Sequence, residues 1–251
     1  MRIEISLDSE GEIRLPIHYN SVIQGMIYNN ISPELARYLH DTGFTYGKRS
    51  FKMFTFSNIN GRYRLTNSDI IFSPPIKLVI SSPMDDFIQQ LGYFMMVRDD
   101  LNLGVNPVRV SSFDVPEETE PNESEVIGML SPVTVYSTLK TGEGKNKTYY
   151  YSPFEDEFSQ LIENNLKKKY AVITGTEPDE SYTLTINPLK VDKRSEKILK
   201  YKGTVIKAWR GVYSLQGNPA LIKVGHEAGI GSKNSQGFGC FKFLKRDNAD
   251  D

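Results

Sequence analysis

The chain has 251 residues, a net charge of −1, 39% hydrophobic and 24% charged residues, a composition typical of a globular protein that buries a core. The single cysteine, Cys240, excludes an internal disulfide and a cysteine-based zinc site, and it favours a reducing cytoplasm. The N-terminus, MRIEISLDSE, is charged where an export signal needs an apolar segment, and no apolar run reaches the roughly 20 residues that span a bilayer. We therefore predict a cytoplasmic protein without a membrane anchor.

Charge is distributed unevenly along the chain. Residues 1–125 contain 11 Lys and Arg against 17 Asp and Glu, whereas residues 126–251 contain 19 against 14. A polyanionic partner would therefore contact mainly the second half, although solvated faces of differing charge would give the same asymmetry.

The first part of the chain alternates strand and helix patterns. Ile3, Ile5 and Leu7 alternate with polar residues, which predicts a strand, and the spacing of apolar residues from Val22 to Ile27 predicts a helix. Ser32 as N-cap and Pro33 open a second short helix, which Asp41-Thr-Gly43 closes. Further predicted elements are strands at Lys52–Ser57, Tyr63–Leu65, Ile70–Ser73, Ile76–Ser81 and Val108–Phe113, and a helix marked by Phe87, Leu91 and Phe94.

An acidic segment with prolines follows, and it predicts a linker at residues 117–124 between a first domain, 1–116, and a second domain, 125–251. The second domain repeats the alternation. Its predicted elements are strands at Val126–Leu130 and Val133–Ser137, a helix from Phe154 to Leu166 that runs into Lys167–Lys169, alternating stretches at Tyr182–Val191 and Thr204–Ser214, a helix from Asn218 through Gly225, and a strand at Phe238–Leu244. Each half approximates βαββαβ, so we predict an α+β protein of two tandem ferredoxin-like domains, the fold of RRMs.

The segment Gly225–Phe241 contains five glycines. Gly225 would lie inside a helix that packs closely on another backbone, and Gly229 would end it in a left-handed conformation. Ser232 to Gln236 are hydrogen-bond donors, which suits a loop that holds phosphates or base edges. A tight helix-to-strand connection without a ligand explains the same composition equally well.

The pattern G-H-E-A-G-I-G-S-K-N-S-Q-G-F-G resembles the C-terminal glycine-rich motif of the RAMP superfamily, specifically the Cas6-type CRISPR repeat endoribonucleases, and the resemblance extends over essentially the whole chain. It implies CRISPR repeat RNA as partner, mature guide RNA as product and delivery to an interference complex. The motif does not separate active nucleases from relatives that only hold RNA. The RNA-binding residues it implies are Gly229, Gly231, Lys233, Asn234, Ser235, Gln236, Gly237 and Gly239.

Metal-independent RNA cleavage needs an acid, a base and a stabilised phosphate, and histidine is the usual acid or base. The histidines are His18, His40 and His226. His40, at the predicted end of the second helix, is placed where the imidazolium form is favoured, as a general acid requires, although a solvated helix-end histidine would look the same.

The resemblance implies a catalytic set of Tyr28, His40 and Lys52. Lys52 would stabilise the transition state, and Lys48 and Arg49 are competitors for this role. Tyr28 would orient the 2′-hydroxyl or act as base beside Lys52, and a tyrosine at the edge of a helix packing face is the alternative.

The run from Lys190 to Arg210 is basic, and Tyr201, Trp209 and the nearby Tyr213 are interleaved as aromatic residues available for base stacking, which indicates an RNA track that includes Lys190, Lys193 and Arg194. We place Trp209 in the core and Lys167–Lys169 at a solvated helix end. Acidic pairs lack His or Cys partners, so we predict no metal and no cofactor.

The expected function is metal-independent cleavage of CRISPR repeat RNA. The alternatives are a non-catalytic RNA-binding subunit of an interference complex and an unrelated RRM-like adaptor. The oligomeric state stays open between monomer and homodimer.

Overall fold

The computed structural model describes residues 1–118, 120–140, 144 and 146–244. The main sheets are two antiparallel sheets, one from each half of the chain, and each has its own hydrophobic core. Within the described ranges, no helix is both long and apolar enough to cross a membrane.

The first half is built around strand β7, which pairs with strands at both of its edges. Ile80 of this strand lies opposite Ile3 on one side and Phe56 on the other. The elements in chain order are β1 (Arg2–Asp8), β2 (Ile13–Pro16), α1 (Asn20–Asn29), α2 (Pro33–Arg37), a π-helical turn (Tyr38–Thr42), β3 (Phe44–Tyr46), β4 (Arg49–Phe51), β5 (Thr55–Phe56), β6 (Asn60–Leu65), β7 (Asp69–Ser81), α3 (Asp85–Val97), β8 (Asn102–Leu103), β9 (Asn106–Pro107) and β10 (Arg109–Asp114).

The order of the first sheet is that of a ferredoxin-like domain. β10 lies beside β1, β1 and β2 lie along one edge of β7, and β5 and β6 lie along the other edge. The alternating Ile3, Ile5 and Leu7 point into a core that also receives Ile23 from α1 and Phe87 from α3. The predicted strand and helix patterns of this half therefore form one buried face.

The second half has the same order of strands, β14-β17-β11-β18, with α4 and α5 packed on the core. The prediction of an α+β protein with two ferredoxin-like units is confirmed. The elements of the second half are β11 (Ser124–Met129), β12 (Tyr136–Lys140), β13 (Asn146–Tyr150), α4 (Asp156–Thr174), β14 (Leu184–Lys190), a 3₁₀ turn (Lys193–Ser195), β15 (Glu196–Tyr201), β16 (Thr204–Trp209), β17 (Val212–Gly217), α5 (Pro219–Ala228), a 3₁₀ turn (Asn234–Gln236) and β18 (Phe241–Phe243).

The domain limits of 1–116 and 125–251 stay a prediction. Thr119 of the predicted linker, and residues 141–143, 145 and 245–251 of the predicted second domain, lie outside the described residues.

Several predicted strands have different limits in the structure. Ile70–Ser73 and Ile76–Ser81 belong to the single strand β7. The stretch Thr204–Ser214 is divided into β16 and β17 because Gly211, at φ +132°, turns the chain between them. Val133–Ser137 is not one strand, since Val133 makes a single bridge to Trp209 and β12 starts at Tyr136. Of Lys52–Ser57, only Thr55–Phe56 is a strand.

The predicted position of Lys167–Lys169 at a solvated helix end is wrong. Helix α4 continues to Thr174, and Lys169 is a fully buried side chain, only 2% exposed. Its position continues the buried stripe of Phe158, Ile162 and Leu166, so the helix turns it toward the core.

The glycine-rich segment lies at the contact between the two halves. Side chains of the first half donate hydrogen bonds to its backbone: Asn20 Nδ2 to the Gln236 carbonyl (2.7 Å), Gln24 Nε2 to the Ser235 carbonyl (2.7 Å) and Thr55 Oγ1 to the Phe238 carbonyl (3.0 Å). The segment therefore joins the two halves as well as connecting α5 to β18.

Gly237→Ala should destabilise the protein more than Gly203→Ala, although both glycines have φ +84°. A Cβ on Gly237 would lie 2.5 Å from Phe56 Cε2 and 2.7 Å from Asn20 Nδ2, whereas a Cβ on Gly203 would meet nothing within 4 Å. We expect a loss of about 1–2 kcal/mol for Gly203→Ala from the backbone alone, and about 3 kcal/mol or more for Gly237→Ala. Denaturant unfolding measures both, and equal losses would contradict the close packing.

Candidate active site at the domain contact

The structure brings Tyr28, His40 and Lys52 together. Tyr28 lies in the last turn of α1, and its ring centroid is 6.4 Å from that of His40 in an edge-to-face arrangement. Lys52 follows β4, and its Nζ donates a hydrogen bond to the His40 carbonyl oxygen at 3.0 Å. Residues from three separate segments therefore form one cluster.

A short hairpin returns the chain so that Lys52 reaches His40. β3 and β4 pair between Phe44 and Phe51, and Gly43 before them has φ +63°. A Cβ on Gly43 would lie 2.5 Å from the Phe51 carbonyl oxygen and 3.0 Å from Lys52 Cδ. Only glycine therefore allows this close return of the backbone.

The sequence predicted that His40 ends an α-helix, but His40 lies beyond the end of the regular α-helix in the structure. α2 stops at Arg37, and His40 lies within the π-helical turn Tyr38–Thr42, which Gly43 closes by donating from its N–H to the Tyr38 carbonyl at 2.7 Å. The imidazole is 76% exposed, and its Nδ1 lies 2.8 Å from Asp41 Oδ1. The carboxylate orients the ring and leaves Nε2 available for a substrate.

Tyr28 is half-buried against Phe54, with ring centroids 5.9 Å apart. Burial raises the pKa of Tyr28 to about 12, and the neighbouring Tyr201 phenol adds to this rise. Tyr201 lies at the end of β15, and its hydroxyl is hydrogen-bonded to Gln24 Oε1. The second half of the chain therefore contributes to the raised pKa of Tyr28 through Tyr201.

Lys52 is the cation of the hairpin region that is hydrogen-bonded to the His40 backbone. Burial lowers the pKa of Lys52, and Asp41 opposes that shift. Arg49 lines the same cleft as Lys52, whereas Lys48 is exposed in the turn of the hairpin.

A cleft of about 680 Å³ opens beside Lys52, between the two halves. One wall is formed by residues 49–54 and the other by α4, β12 and the glycine-rich loop. Its charged lining residues in the described part of the chain are all cations, namely Arg49, Lys52, Lys169 and Lys233. Such a surface favours a polyanion.

The sequence matches the family model of the CRISPR-associated protein Cas6, C-terminal, over residues 115–243. The chain belongs to the Cas6 family. A CRISPR-associated endoribonuclease Cas6 of Methanocaldococcus jannaschii is 30% identical over 95% of this chain and 91% of its own length. A second, from Pyrococcus furiosus, is 27% identical over 94% of this chain and 86% of its own.

Solved structures agree with this assignment. A structure described as CRISPR associated protein Cas6 superposes with a TM-score of 0.77 at 28% identity, covering 98% of this chain and 99% of its own. A Cas6-related protein from Pyrococcus furiosus shares the fold, with a TM-score of 0.84 at 23% identity and 98% coverage of both chains. The resemblance seen in the glycine-rich motif is confirmed, and the chain is a member of a family of CRISPR-associated endoribonucleases.

In this Cas6-family chain the glycine-rich loop is held by its own contacts. Asn234 Nδ2 donates to the carbonyls of Ile230 and Phe238, both at 3.0 Å, and Asn234 Oδ1 accepts from Lys169. The side chain of Asn234 therefore shapes the loop. Gly229 has φ +80° but an extended ψ of 152°, so it ends α5 without the predicted left-handed conformation.

The other glycines of the motif allow close packing. Gly225 lies inside α5 as predicted, and a Cβ there would lie 2.9 Å from Ile230 and 3.5 Å from Leu166 of α4. A Cβ on Gly231 would lie 2.6 Å from the Thr134 carbonyl. Gly237 and Gly239 also have positive φ angles, +84° and +78°. The tight connection and a ligand-binding loop are thus compatible descriptions of one segment.

Of the loop side chains, Lys233 and Gln236 both line the cleft. Lys233 Nζ lies 5.0 Å from the centroid of the Tyr136 ring, and burial lowers the pKa of Lys233. Ser235 lines the cleft as well.

Lys190, Lys193 and Arg194 do not line the cleft. Lys190 ends β14, and Arg194 lies in a turn where its Nε is 3.0 Å from Asp192 Oδ2. Trp209 is buried as predicted, but Tyr201 and Tyr213 are buried too. The expectation that aromatic residues of this run are available for base stacking is therefore wrong.

The remaining histidines are separate from the cluster. His226 packs on Phe241 and Phe243, and burial, with Arg2 nearby, lowers its pKa to about 3. His226 is therefore neutral and sequestered. His18 is exposed before α1.

Sequence reasoning missed Lys169 and Asn165, which both line the cleft from α4. Their spacing from Phe158 and Ile162 at i, i+3 and i+4 is the signal that places them on the buried face. Across the described residues, no three His, Cys, Asp or Glu side chains come together as a metal site.

Proposed function

We propose that this protein cleaves CRISPR repeat RNA without a metal, by attack of a 2′-hydroxyl on the adjacent phosphate. The observation that carries this proposal is the convergence of Tyr28, His40 and Lys52 beside a cationic cleft. The names of its relatives support RNA cleavage, and membership of the Cas6 family excludes the alternative of an unrelated RRM-like adaptor.

In the proposed reaction the 2′-oxygen loses its proton to solvent water and bonds to phosphorus, and the bond from phosphorus to the 5′-oxygen breaks. His40 donates a proton from Nε2 to that leaving oxygen, while Asp41 holds the imidazole through Nδ1. Lys52 stabilises the negative charge on the pentacoordinate phosphate. The products are a 2′,3′-cyclic phosphate and a 5′-hydroxyl.

We assign Tyr28 to orienting the 2′-hydroxyl. A phenol whose pKa is about 12 is almost fully protonated at pH 7, so it donates hydrogen bonds and is a poor base. The edge-to-face contact between its ring and that of His40, with centroids 6.4 Å apart, supports a role beside the proposed acid.

The repeat RNA would lie across the cleft and the glycine-rich loop. Lys233, Ser235 and Gln236 line that cleft, and the backbone of the glycines would approach the strand closely. Lys190, Lys193 and Arg194 would contact phosphates farther along the RNA. The cleaved RNA would be mature guide RNA for an interference complex.

A non-catalytic RNA-binding protein is the second candidate. It is favoured by relatives such as a Pyrococcus horikoshii protein, 26% identical over 98% of this chain, that carries the name endoribonuclease-like Cas6nc. Such a protein would bind the same RNA and would not require His40.

His40→Ala should reduce single-turnover cleavage of synthetic repeat RNA in EDTA by about 10²–10⁴-fold at pH 7, because it removes the proton donor. Binding should be retained. His18→Ala, at an exposed histidine, is the matched control and should leave the rate unchanged. Cleavage that requires added Mg²⁺ would contradict the mechanism, and binding without cleavage by the wild type would favour the non-catalytic alternative.

Tyr28→Phe should lower the cleavage rate by only about 10-fold, with an unchanged pH profile, since orientation needs the hydroxyl but not its ionisation. Tyr38→Phe, at the neighbouring exposed tyrosine, is the control. A base with a pKa near 12 would instead give a wild-type rate that keeps rising with alkaline pH, and a loss in the variant of 10²-fold or more.

Lys52→Met should lower the cleavage rate by about 10²-fold, because one cation is removed from the transition state, while Lys48→Met should leave it near the wild-type value. Lys52→Arg, which keeps the charge, should retain more activity than Lys52→Met. Single-turnover rates at saturating protein measure these effects. A larger loss in Arg49→Met than in Lys52→Met would transfer the role to Arg49.

A further inference from the structure

Lys169 occupies an unusual position for a lysine. It is 2% exposed, and its Nζ donates to the Gly229 carbonyl at 2.6 Å and to Asn234 Oδ1 at 2.7 Å. An ammonium has three donors, so these two bonds leave one N–H for a further acceptor. Because Lys169 also lines the cleft, that acceptor can come from a ligand.

Two of the side chains that line the same cleft each carry a buried oxygen without a hydrogen-bond partner among the described residues. Asn165 Oδ1 belongs to a side chain that is 7% exposed, one helical turn before Lys169 on the same face of α4. Gln236 Oε1 lies in the glycine-rich loop. A buried polar atom without a partner costs about 1–3 kcal/mol, so donors from a ligand would offset an existing cost.

We propose that Lys169 and Asn165 form the floor of a subsite for one nucleotide of the bound RNA, separate from Tyr28 and His40. Lys169 and Lys233 take its phosphate. Asn165 and Gln236 accept hydrogen bonds from its ribose hydroxyl or its base. The identity of the ligand as RNA rests on the proposed function.

The mixed chemistry of the cleft selects a nucleotide over a simple anion. Phosphate oxygens are acceptors and cannot satisfy Asn165 Oδ1 or Gln236 Oε1, so a ligand that satisfies these atoms carries O–H or N–H donors as well as negative charge. The cleft volume of about 680 Å³ lies in the usual range of roughly 300–1,000 Å³ for small-ligand sites.

Phosphate binding should be linked to protonation of Lys169. Burial lowers the pKa of Lys169 to about 7, and a bound phosphate would raise it. The other charged groups that face the cleft are Arg49 and Lys52 from the hairpin side and Lys233 from the loop. Above pH 7 the free protein must take up a proton to bind, so affinity should fall as the pH rises.

The test uses the His40→Ala background, which prevents the proposed cleavage. Affinity for fluorescently labelled repeat RNA is measured by anisotropy for this protein and for its Lys169→Met and Lys168→Met derivatives. Lys168 is a partly exposed neighbour on the same helix and is the matched control.

Lys169→Met should weaken binding about 10–100-fold and reduce the slope of log Kd against log salt concentration by about one, whereas Lys168→Met should change Kd by less than about threefold. Between pH 7 and 9 the parent should lose about 10-fold in affinity, and the Lys169→Met derivative should not. Equal losses in the Lys169→Met and Lys168→Met derivatives would overturn the proposal that Lys169 binds phosphate. The same pH dependence in the parent and in the Lys169→Met derivative would also overturn it.

Asn165→Ala supplies a second test that leaves the loop support by Lys169 in place, with the exposed Asn164→Ala as control. Repeat RNAs that each carry one 2′-deoxy or abasic nucleotide are compared. The modified nucleotide at one position of the repeat should weaken binding to the parent about 10-fold. Asn165→Ala should abolish this difference between the modified and the unmodified RNA. If no position shows this coupling, the subsite is wrong.

The outcomes separate the two proposals. Wild-type cleavage of repeat RNA with no effect of Lys169 or Asn165 on binding would leave the proposed function standing and overturn the subsite. The expected effects of both residues in a protein that does not cleave would support the subsite and overturn the nuclease function.

Discussion

The backbone of the glycine-rich loop lies against side chains of the first half at distances that leave no room for Cβ atoms. Gly237 is in contact with Phe56 and Asn20, and the adjacent carbonyls of Ser235 and Gln236 accept hydrogen bonds from α1. Lys169 holds the same loop from the other side through Gly229 and Asn234. This loop therefore helps to fix the separation of the two halves, and each half supplies one wall of the cleft.

The cluster of Tyr28, His40 and Lys52 is organised differently, because its residues come from a short stretch of chain. α1, α2, the π-helical turn and the β3–β4 hairpin follow one another in the chain, and Gly43 allows the return that brings Lys52 to the His40 carbonyl. This part of the site therefore depends on local backbone geometry. The electrostatic environment of the cluster also depends on the second half, since Tyr201 contributes to the raised pKa of Tyr28.

Helix and strand patterns indicated the core correctly where one face of an element is buried. Ile3, Ile5 and Leu7 are such a case, and so is the apolar face of α1. Alternation failed at Arg210-Gly211, because the chain turns there and the buried positions change from Ile206 and Ala208 to Tyr213 and Leu215. Lys169 was misplaced because a lysine after an apolar run is usually solvated, and its buried partners, Gly229 and Asn234, lie about 60 residues away in the chain.

The sequence alone determined the two ferredoxin-like units and the family, because both depend on local periodicity and on a motif whose glycines are required by their backbone conformations. It also indicated the residue types of the cluster. Only the tertiary structure decided which donors of the glycine-rich loop remain available, that Tyr201 and Tyr213 are buried, and that α4 contributes Lys169 and Asn165 to the cleft. These properties follow from contacts between residues distant in the chain, and the physical reason is that burial and hydrogen-bond partnership belong to the packed pair and not to either residue by itself.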